Sequence, residues 1–152
     1  MLAPQHELAA SEMVRVCEPG GTVAITTWTT EGMNGQLFGV MGNHMPPPPE
    51  GMQTPYQWGT EEHVREMFDD AIDWSFSREV VNFHADDAAA WFDFMEEKLG
   101  PLVLARAALE PQGKYDALRE DLIEHYESFN TATDGSFDGE GEYLLAVGRL
   151  PG

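Results

Sequence analysis

The spacing of apolar residues along the chain predicts a succession of helices and strands. The apolar residues of the first predicted element, 5–17, fall near one face of a helix. The turn at 18–21 ends this helix, because Pro19 cannot continue it and the following glycines allow a tight reversal. The β-branched segment 22–28 is typical of a strand. The predicted core face of the helix consists of Leu8, Ala9, Met13, Val16 and Cys17.

Further along, the same reasoning predicts four more helices and two more strands. An amphipathic helix begins behind Thr60, a good N-cap, and the segment 73–84 predicts a strand. The polar loop 131–140 precedes a continuous apolar run, 143–147, which predicts a strand buried on both faces and central in its sheet. Three helical stripes lie between these strands, at 88–99, 102–109 and 115–130.

The segment 30–59 shows neither the apolar periodicity of a helix nor that of a strand. It predicts a long loop rich in glycine, proline and methionine. Loops of this length inside a compact domain are uncommon and often functional. Methionine and aromatic side chains adapt to apolar ligands. Two alternatives stay open: the apolar side chains fold back onto the core, or 36–43 forms a short helix.

Composition excludes several classes of function. The 152 residues include 27 Asp+Glu against 8 Lys+Arg, and this charge disfavours binding of nucleic acid or anionic membrane surfaces. No apolar run approaches the roughly 20 residues of a membrane helix. The lone Cys17 excludes an internal disulfide, and the histidines lack metal-ligand spacing, so we expect no metal site. The length predicts one domain, 1–152, which we expect to be cytoplasmic.

The turn around Pro19-Gly20-Gly21, with its flanking helix and strand, resembles part of the class I S-adenosylmethionine-dependent methyltransferases. The matching part runs from their fourth helix into their fifth strand, and the similarity is greatest to the type-11 group, related to the ubiquinone/menaquinone-biosynthesis C-methyltransferases. Glu18 replaces the basic residue that this group often carries. The helix start at 59–62 and the terminal strand 142–147 fall where the family places them.

The resemblance covers only the carboxyl-terminal half of that fold. It implies an α/β protein, a partial Rossmann-like methyltransferase fold, with about five helices. Its three-stranded sheet would have the last strand in the centre, antiparallel, between 22–28 and 73–84. The family's cofactor loop is missing, since Gly139-Glu140-Gly141 precedes a strand and no helix follows it. We therefore expect S-adenosylmethionine to bind the complete family fold but not this chain alone. The chain would be a truncated product of an internal start or a genuine half-protein.

The resemblance also implies candidate site residues, because strand ends line the ligand crevice of such folds. His6 would act as a base toward an acidic hydroxyl or carbon proton, unless it is a solvent-facing residue at a helix start. Trp28 would form the wall of an apolar pocket, unless it packs at the strand end. The candidate substrate-binding residues are Pro4, Trp28, Thr29, Phe38 and Trp58.

Two hypotheses for function follow. In the first, the chain is the substrate-side portion of a methyltransferase that acts on an apolar small molecule, and it is inactive without the amino-terminal half. In the second, it is a non-catalytic dimeric module that binds a ligand or a protein. The strand 22–28 would lack its usual neighbour, so its open edge predicts a homodimer or assembly with a separate amino-terminal half.

Overall fold

The computed structural model describes residues 3–47, 49, 51, 53–68 and 72–152, with Tyr56 described by its backbone only. These residues form six α-helices, three strands and two short 3-10 helices, Pro55–Gly59 and Glu110–Gln112. No helix in this part of the chain combines the length and apolar character needed to span a bilayer. The helices and strands are α1 His6–Val16, β1 Thr22–Trp28, α2 Met33–His44, α3 Glu61–Met67, β2 Asp73–Ala85, α4 Ala88–Lys98, α5 Gly100–Leu109, α6 Tyr115–Ser128 and β3 Phe137–Arg149.

The three strands form one sheet in the order β1-β3-β2. Strand β1 pairs antiparallel with β3, and its register places Thr22 opposite Arg149 and Trp28 opposite Tyr143. The predicted α/β class with a central, antiparallel last strand is therefore confirmed. The order is also the one that the methyltransferase resemblance implies for these three strands.

The chain divides into two compact units. The first unit comprises Met1–Gly35, Pro48–Val80 and Glu142–Gly152, and the second comprises Gln36–Pro47 and Val81–Gly141. Strands β2 and β3 each run from one unit into the other. Aliphatic and aromatic side chains from α1, α3 and all three strands form the core of the first unit. Its buried members are Ala10, Val23, Ile25, Trp58, Val64, Phe68, Ile72, Trp74, Leu144, Ala146 and Leu150.

The core of the second unit is built around the Trp91 ring of α4. Phe83 lies 4.8 Å and Phe137 5.8 Å from that ring, centroid to centroid, and Tyr126 of α6 meets it edge to face at 6.4 Å. Such offset and edge-to-face arrangements are the favourable ones for aromatic pairs. The second unit therefore has a hydrophobic core of its own.

The interpretation of 30–59 as one loop is wrong, because α2 occupies Met33–His44 and a 3-10 helix occupies Pro55–Gly59. Met33, Leu37 and Met41 recur every four residues and are buried. Spacing of this kind places them on one helical face. The alternative of a short helix at 36–43 is thus closer to the structure. Three of its loop residues, Pro48, Glu50 and Met52, lie outside the described part.

The buried face of α1 and the start of β3 also differ from the prediction. The buried face of α1 is formed by His6 and Ala10, while Leu8 and Val16 are 56% and 69% exposed. The prediction is right for Ala9, Met13 and Cys17, which are partly buried and pack against the core. It is wrong for the two exposed residues, and a count of apolar residues does not find the buried histidine. Strand β3 begins at Phe137, inside the predicted polar loop 131–140, because buried residues alternate with less buried ones from that point.

Candidate functional site

The site begins at the amino terminus of α1, where one side chain from a distant segment serves as a cap. The helix has no cap from its own N-cap residue, Gln5. Instead the His6 backbone N–H donates to Gln53 Oε1 at 2.8 Å, and the Gln53 N–H lies 3.5 Å from the Pro4 carbonyl oxygen. Gln53 thus satisfies one of the helix's free N–H groups and joins the segment around it to the start of α1.

A histidine pair connects α1 with α3. Thr60 is the N-cap of α3 and accepts a hydrogen bond from the His63 backbone N–H, which fixes His63 in the first turn. From there His63 Nε2 lies 2.8 Å from Nδ1 of His6, a hydrogen-bond distance. The His6 side chain is fully buried, whereas 14% of the His63 side chain is exposed.

The indole of Trp58 also packs on His6. The two ring centroids lie 5.1 Å apart, and the rings are tilted by 51°. The next residue, Gly59, approaches the end of β1 so closely that a Cβ there would lie 1.9 Å from the Trp28 carbonyl oxygen. Only glycine permits this approach, which holds the Trp58 segment against the end of β1.

The surroundings of His6 favour the neutral imidazole. Burial, and then the neighbouring His63, hold the pKa of His6 below its ordinary value of 6.5. On the far side of His63, its Nδ1 lies 3.8 Å from Glu66 Oε2. Two buried polar atoms, His6 Nε2 and Trp58 Nε1, have no hydrogen-bond partner among the described residues. A neutral ring with an unpartnered nitrogen is able to accept a proton.

A cavity of about 450 Å³ has His6 among its lining residues, but neither His63 nor Trp58. Its volume lies within the range of small-molecule sites. Glu7 contributes a carboxyl group and Leu8 an exposed apolar side chain, so the cavity offers both kinds of contact. The residues that line it are Gln5, His6, Glu7, Leu8, Gly51 and Gln53.

The structure brings together some of the predicted site residues. His6 and Trp58 are in ring contact, and Pro4 joins them through Gln53. Thr29 is buried, and its N–H donates to the Glu142 carbonyl oxygen at 3.1 Å.

Of the other two substrate candidates, Trp28 contributes its carbonyl oxygen to the close approach of Gly59. Trp28 is half-buried and packs edge to face on Tyr143 at 6.3 Å. Phe38 belongs to the second unit. The roles of all six residues stay predictions.

Sequence reasoning missed His63 and Gln53. His63 lies 57 residues and Gln53 47 residues from His6, so no local spacing links them. The N-cap Thr60 indicated where His63 sits on α3, but not what α3 packs against.

The Gly-x-Gly segment of the sequence, Gly139, Glu140 and Gly141, lies inside β3 and forms no loop before a helix. In the part of the chain that the structure describes, no group of three or more His, Cys, Asp or Glu side chains is placed to hold a metal ion.

Comparisons with known proteins give relatives without an assigned function. No family model matches the chain. An uncharacterized protein of Mycobacterium tuberculosis and one of Mycobacterium bovis are each 32% identical over 150 residues, which cover 95% of this chain and 53% of theirs. The chain thus spans about half the length of the curated relatives it matches. Among solved structures, a presumed methyltransferase from Bacillus halodurans is similar, with a TM-score of 0.49, 16% identity and coverage of 99% of this chain and 62% of that one.

Proposed function

We propose that the chain is the substrate-side portion of an S-adenosylmethionine-dependent methyltransferase that acts on an apolar small molecule. The observation that carries the proposal is the buried His6, paired with His63 and packed on Trp58 beside a cavity of about 450 Å³. The strand order β1-β3-β2 supports it, since the sequence resemblance implies that order.

The chain's own residues supply the acceptor side of the reaction. His6 takes a proton from an acidic hydroxyl or carbon of the acceptor at its Nε2. Trp58 packs on His6 and keeps that ring in place. The cavity walls hold the acceptor and exclude water, so that positioning contributes much of the rate. In this family the cofactor supplies an electrophilic methyl group. The described residues contain no loop suited to it, so we assign its binding to an amino-terminal half.

A fusion protein tests this assignment. This chain replaces its matching segment in the Mycobacterium tuberculosis relative, and S-adenosylmethionine is titrated into the fusion and into the chain alone by calorimetry. We expect one-to-one binding by the fusion and none by the chain. The His6→Gln fusion is the matched control and keeps cofactor binding, since His6 lies on the acceptor side. One-to-one binding by the chain alone, or no binding by a folded fusion, contradicts the proposal.

A second candidate, a non-catalytic dimeric module, is favoured by the open side of β1. In the described sheet this strand pairs with β3 on one side and forms an edge on the other. Edges of this kind pair readily with another chain. Light scattering after size exclusion then shows a dimer, and Ala24→Lys, on the exposed face of β1, weakens it. A monomer at every concentration contradicts this candidate.

A further inference from the structure

We propose that the outward face of α5 is a docking surface for a second copy of this chain, which pairs with it through its own α5 in an antiparallel arrangement. This pairing is independent of the proposed methyltransferase function, and it uses a surface other than the edge of β1. The outward face consists of Gly100, Val103, Leu104, Ala107 and Ala108.

Apart from Arg106, the sequence of α5 places apolar residues around the whole helix. Leu102, Ala105 and Leu109 recur at intervals of three and four residues and are buried. Helical geometry puts the outward face on the opposite side, where all five residues are exposed. Surface helices normally carry polar side chains there, and a helix that is apolar on every side is typical of a buried position. The outward face therefore has the character of a surface that is covered in an assembly.

Two branched side chains provide most of the apolar area of this face. Leu104 is 70% and Val103 is 46% exposed. Each is followed four residues later by an alanine, so the face presents two ridges of the kind that interlock between packed helices. In an antiparallel pair the large side chains of one helix lie over the alanines of the other. The face is thus complementary to itself, as a two-fold interface requires.

Charge favours this face over other surfaces for contact between two copies. The chain carries 27 Asp+Glu against 8 Lys+Arg, so two copies repel each other in most orientations. Helix α6 is rich in acidic residues, whereas α5 has none. Arg106, the one charged residue of α5, pairs with Glu96 and Glu110 of its own chain. Two copies that meet through α5 therefore bring no like charges together at the centre of the contact.

The two ends of α5 also complement each other in an antiparallel pair. Leu99, its N-cap residue, has no side-chain oxygen to accept from the first N–H groups, and the first turn contains no acidic residue. Glu110 follows the other end, and its side chain is 61% exposed. A helix of ten residues is about 15 Å long, so antiparallel pairing brings the Glu110 carboxylate of one copy near the amino end of the other. The helix dipole stabilises a carboxylate at that end.

The size of the face predicts a dimer that dissociates on dilution. One pair of such short helices buries less than the roughly 1,200 Å² of a standard interface, and contacts of that size are typical of weak association. A lipid surface fits the face less well. Helices that lie on membranes carry several Lys and Arg residues on their polar side, whereas α5 has Arg106 alone.

Light scattering after size exclusion, over a wide range of chain concentration, tests the dimer. We expect Leu104→Lys to weaken it at least about tenfold, because the contact would then bury a charge. Val16→Lys is the matched control, since it adds the same charge at a side chain of α1 that is 69% exposed, and it should not weaken the dimer. Circular dichroism verifies that both variants fold. A monomer at every concentration, equal losses for the two variants, or a dimer that Ala24→Lys alone weakens overturns the proposal.

Nuclear magnetic resonance of the nitrogen-15-labelled chain locates the contact. The amide signals of the outward face should move with concentration, while those of β1 stay in place. Glu110→Gln should weaken the dimer about two- to fivefold, because the partner helix loses its carboxylate. Glu124→Gln removes the same charge from an exposed position on α6 and should not weaken it. Concentration-dependent shifts confined to β1, or equal effects of the two variants, contradict the antiparallel pairing.

The fusion with the Mycobacterium tuberculosis relative tests the competing occupant. The matched segment covers 53% of that relative, so its remaining part is long enough to cover α5. We expect the fusion to dimerise and Leu104→Lys to weaken it as in the chain alone. A monomeric fusion, when the chain itself dimerises, assigns the face to that remaining part and overturns the second copy as its occupant. Sedimentation of the chain with phosphatidylglycerol vesicles that Leu104→Lys abolishes assigns the face to lipid, and overturns it equally.

Discussion

The two units of the molecule treat buried polar groups differently. In the first unit the orphaned polar atoms include members of a histidine–tryptophan contact beside a cavity. In the second unit they are the Trp91 indole nitrogen and the Tyr126 hydroxyl, whose rings meet edge to face in the core. An unsatisfied buried group costs about 1–3 kcal/mol, and only in the first unit does one of these groups belong to a histidine, His6. The orphaned atoms are those of His6, Thr27, Asn34, Trp58 and Trp74 in the first unit and of Trp91 and Tyr126 in the second.

Polar contacts in the second unit instead join its helices. Glu96 of α4 pairs with Arg106 of α5 and accepts a hydrogen bond from the Tyr115 hydroxyl of α6 at 2.9 Å. Arg119 of α6 pairs with Asp93 of α4 at 2.7 Å. These partners satisfy one another. We therefore expect them to contribute to the stability of the second unit.

The largest loss of stability is expected from a substitution in the core of the second unit. Phe92→Ala removes a fully buried ring from α4 and should lower the free energy of unfolding by about 4 kcal/mol. Phe94→Ala, on the same helix with a ring that is 53% exposed, should cost less than about 1 kcal/mol. Urea denaturation followed by circular dichroism measures both. Similar losses for the two variants would mean that this core is not packed as described.

The next prediction compares two glycines of helix α2, one in each unit. Gly35→Ala places a Cβ 1.9 Å from the Thr29 carbonyl oxygen in the first unit, and we expect a loss of about 3 kcal/mol. Gly39→Ala, one turn later, meets nothing within 4 Å and should stabilise the helix by up to about 1 kcal/mol. Thermal denaturation compares the two. A gain for both variants would show that α2 does not rest against Thr29.

Most elements of the fold were predictable because their signals are local. The glycines at 20 and 21 and the β-branched run of β1 determine a turn and a strand without reference to distant residues. The helix α2 was not predictable from local signals, since Gly35, Gly39 and Gly42 lower its helix propensity. Burial of Met33, Leu37 and Met41 stabilises it, and burial depends on the tertiary structure.

The candidate site was predictable only in part. Its position at the start of α1 followed from the family resemblance, and His6 and Trp58 were both candidates. Their contact, and the pairing of His6 with His63, depend on how α1 and α3 pack together. Such contacts join residues 52 and 57 positions apart, and periodicity along the chain contains no record of them.

A smaller effect compares two tyrosines of α6. Burial, and then the hydrogen bond to Glu96, raise the pKa of Tyr115, so its hydroxyl stays a donor through the neutral range. Tyr115→Phe removes that donor and should cost about 1 kcal/mol. Tyr126→Phe removes a buried hydroxyl that has no partner in the described residues, and should be neutral or stabilising. A larger loss for Tyr126→Phe in urea denaturation would reveal a partner for that hydroxyl.

The smallest effect tests the site through the pH dependence of stability. The pKa of His6 is lowered by burial and then by His63, so below its ordinary value of 6.5 the unfolded chain binds a proton that the folded chain excludes. The contribution of His6 to the free energy of unfolding is therefore fully present above about pH 6.5. It declines as the pH falls toward the pKa of the folded state, with a slope that corresponds to fewer than one bound proton. His6→Gln should remove this decline. Backbone hydrogen bonding lowers the pKa of Glu31, and a hydrogen bond with Ser136 lowers that of Asp134, so their effects lie at more acidic pH. Urea denaturation at about pH 7.5 and pH 5.5 compares wild type and variant. An unchanged decline in His6→Gln would show that His6 takes up its proton as readily in the folded chain as in the unfolded one, and the buried neutral base would lose its support.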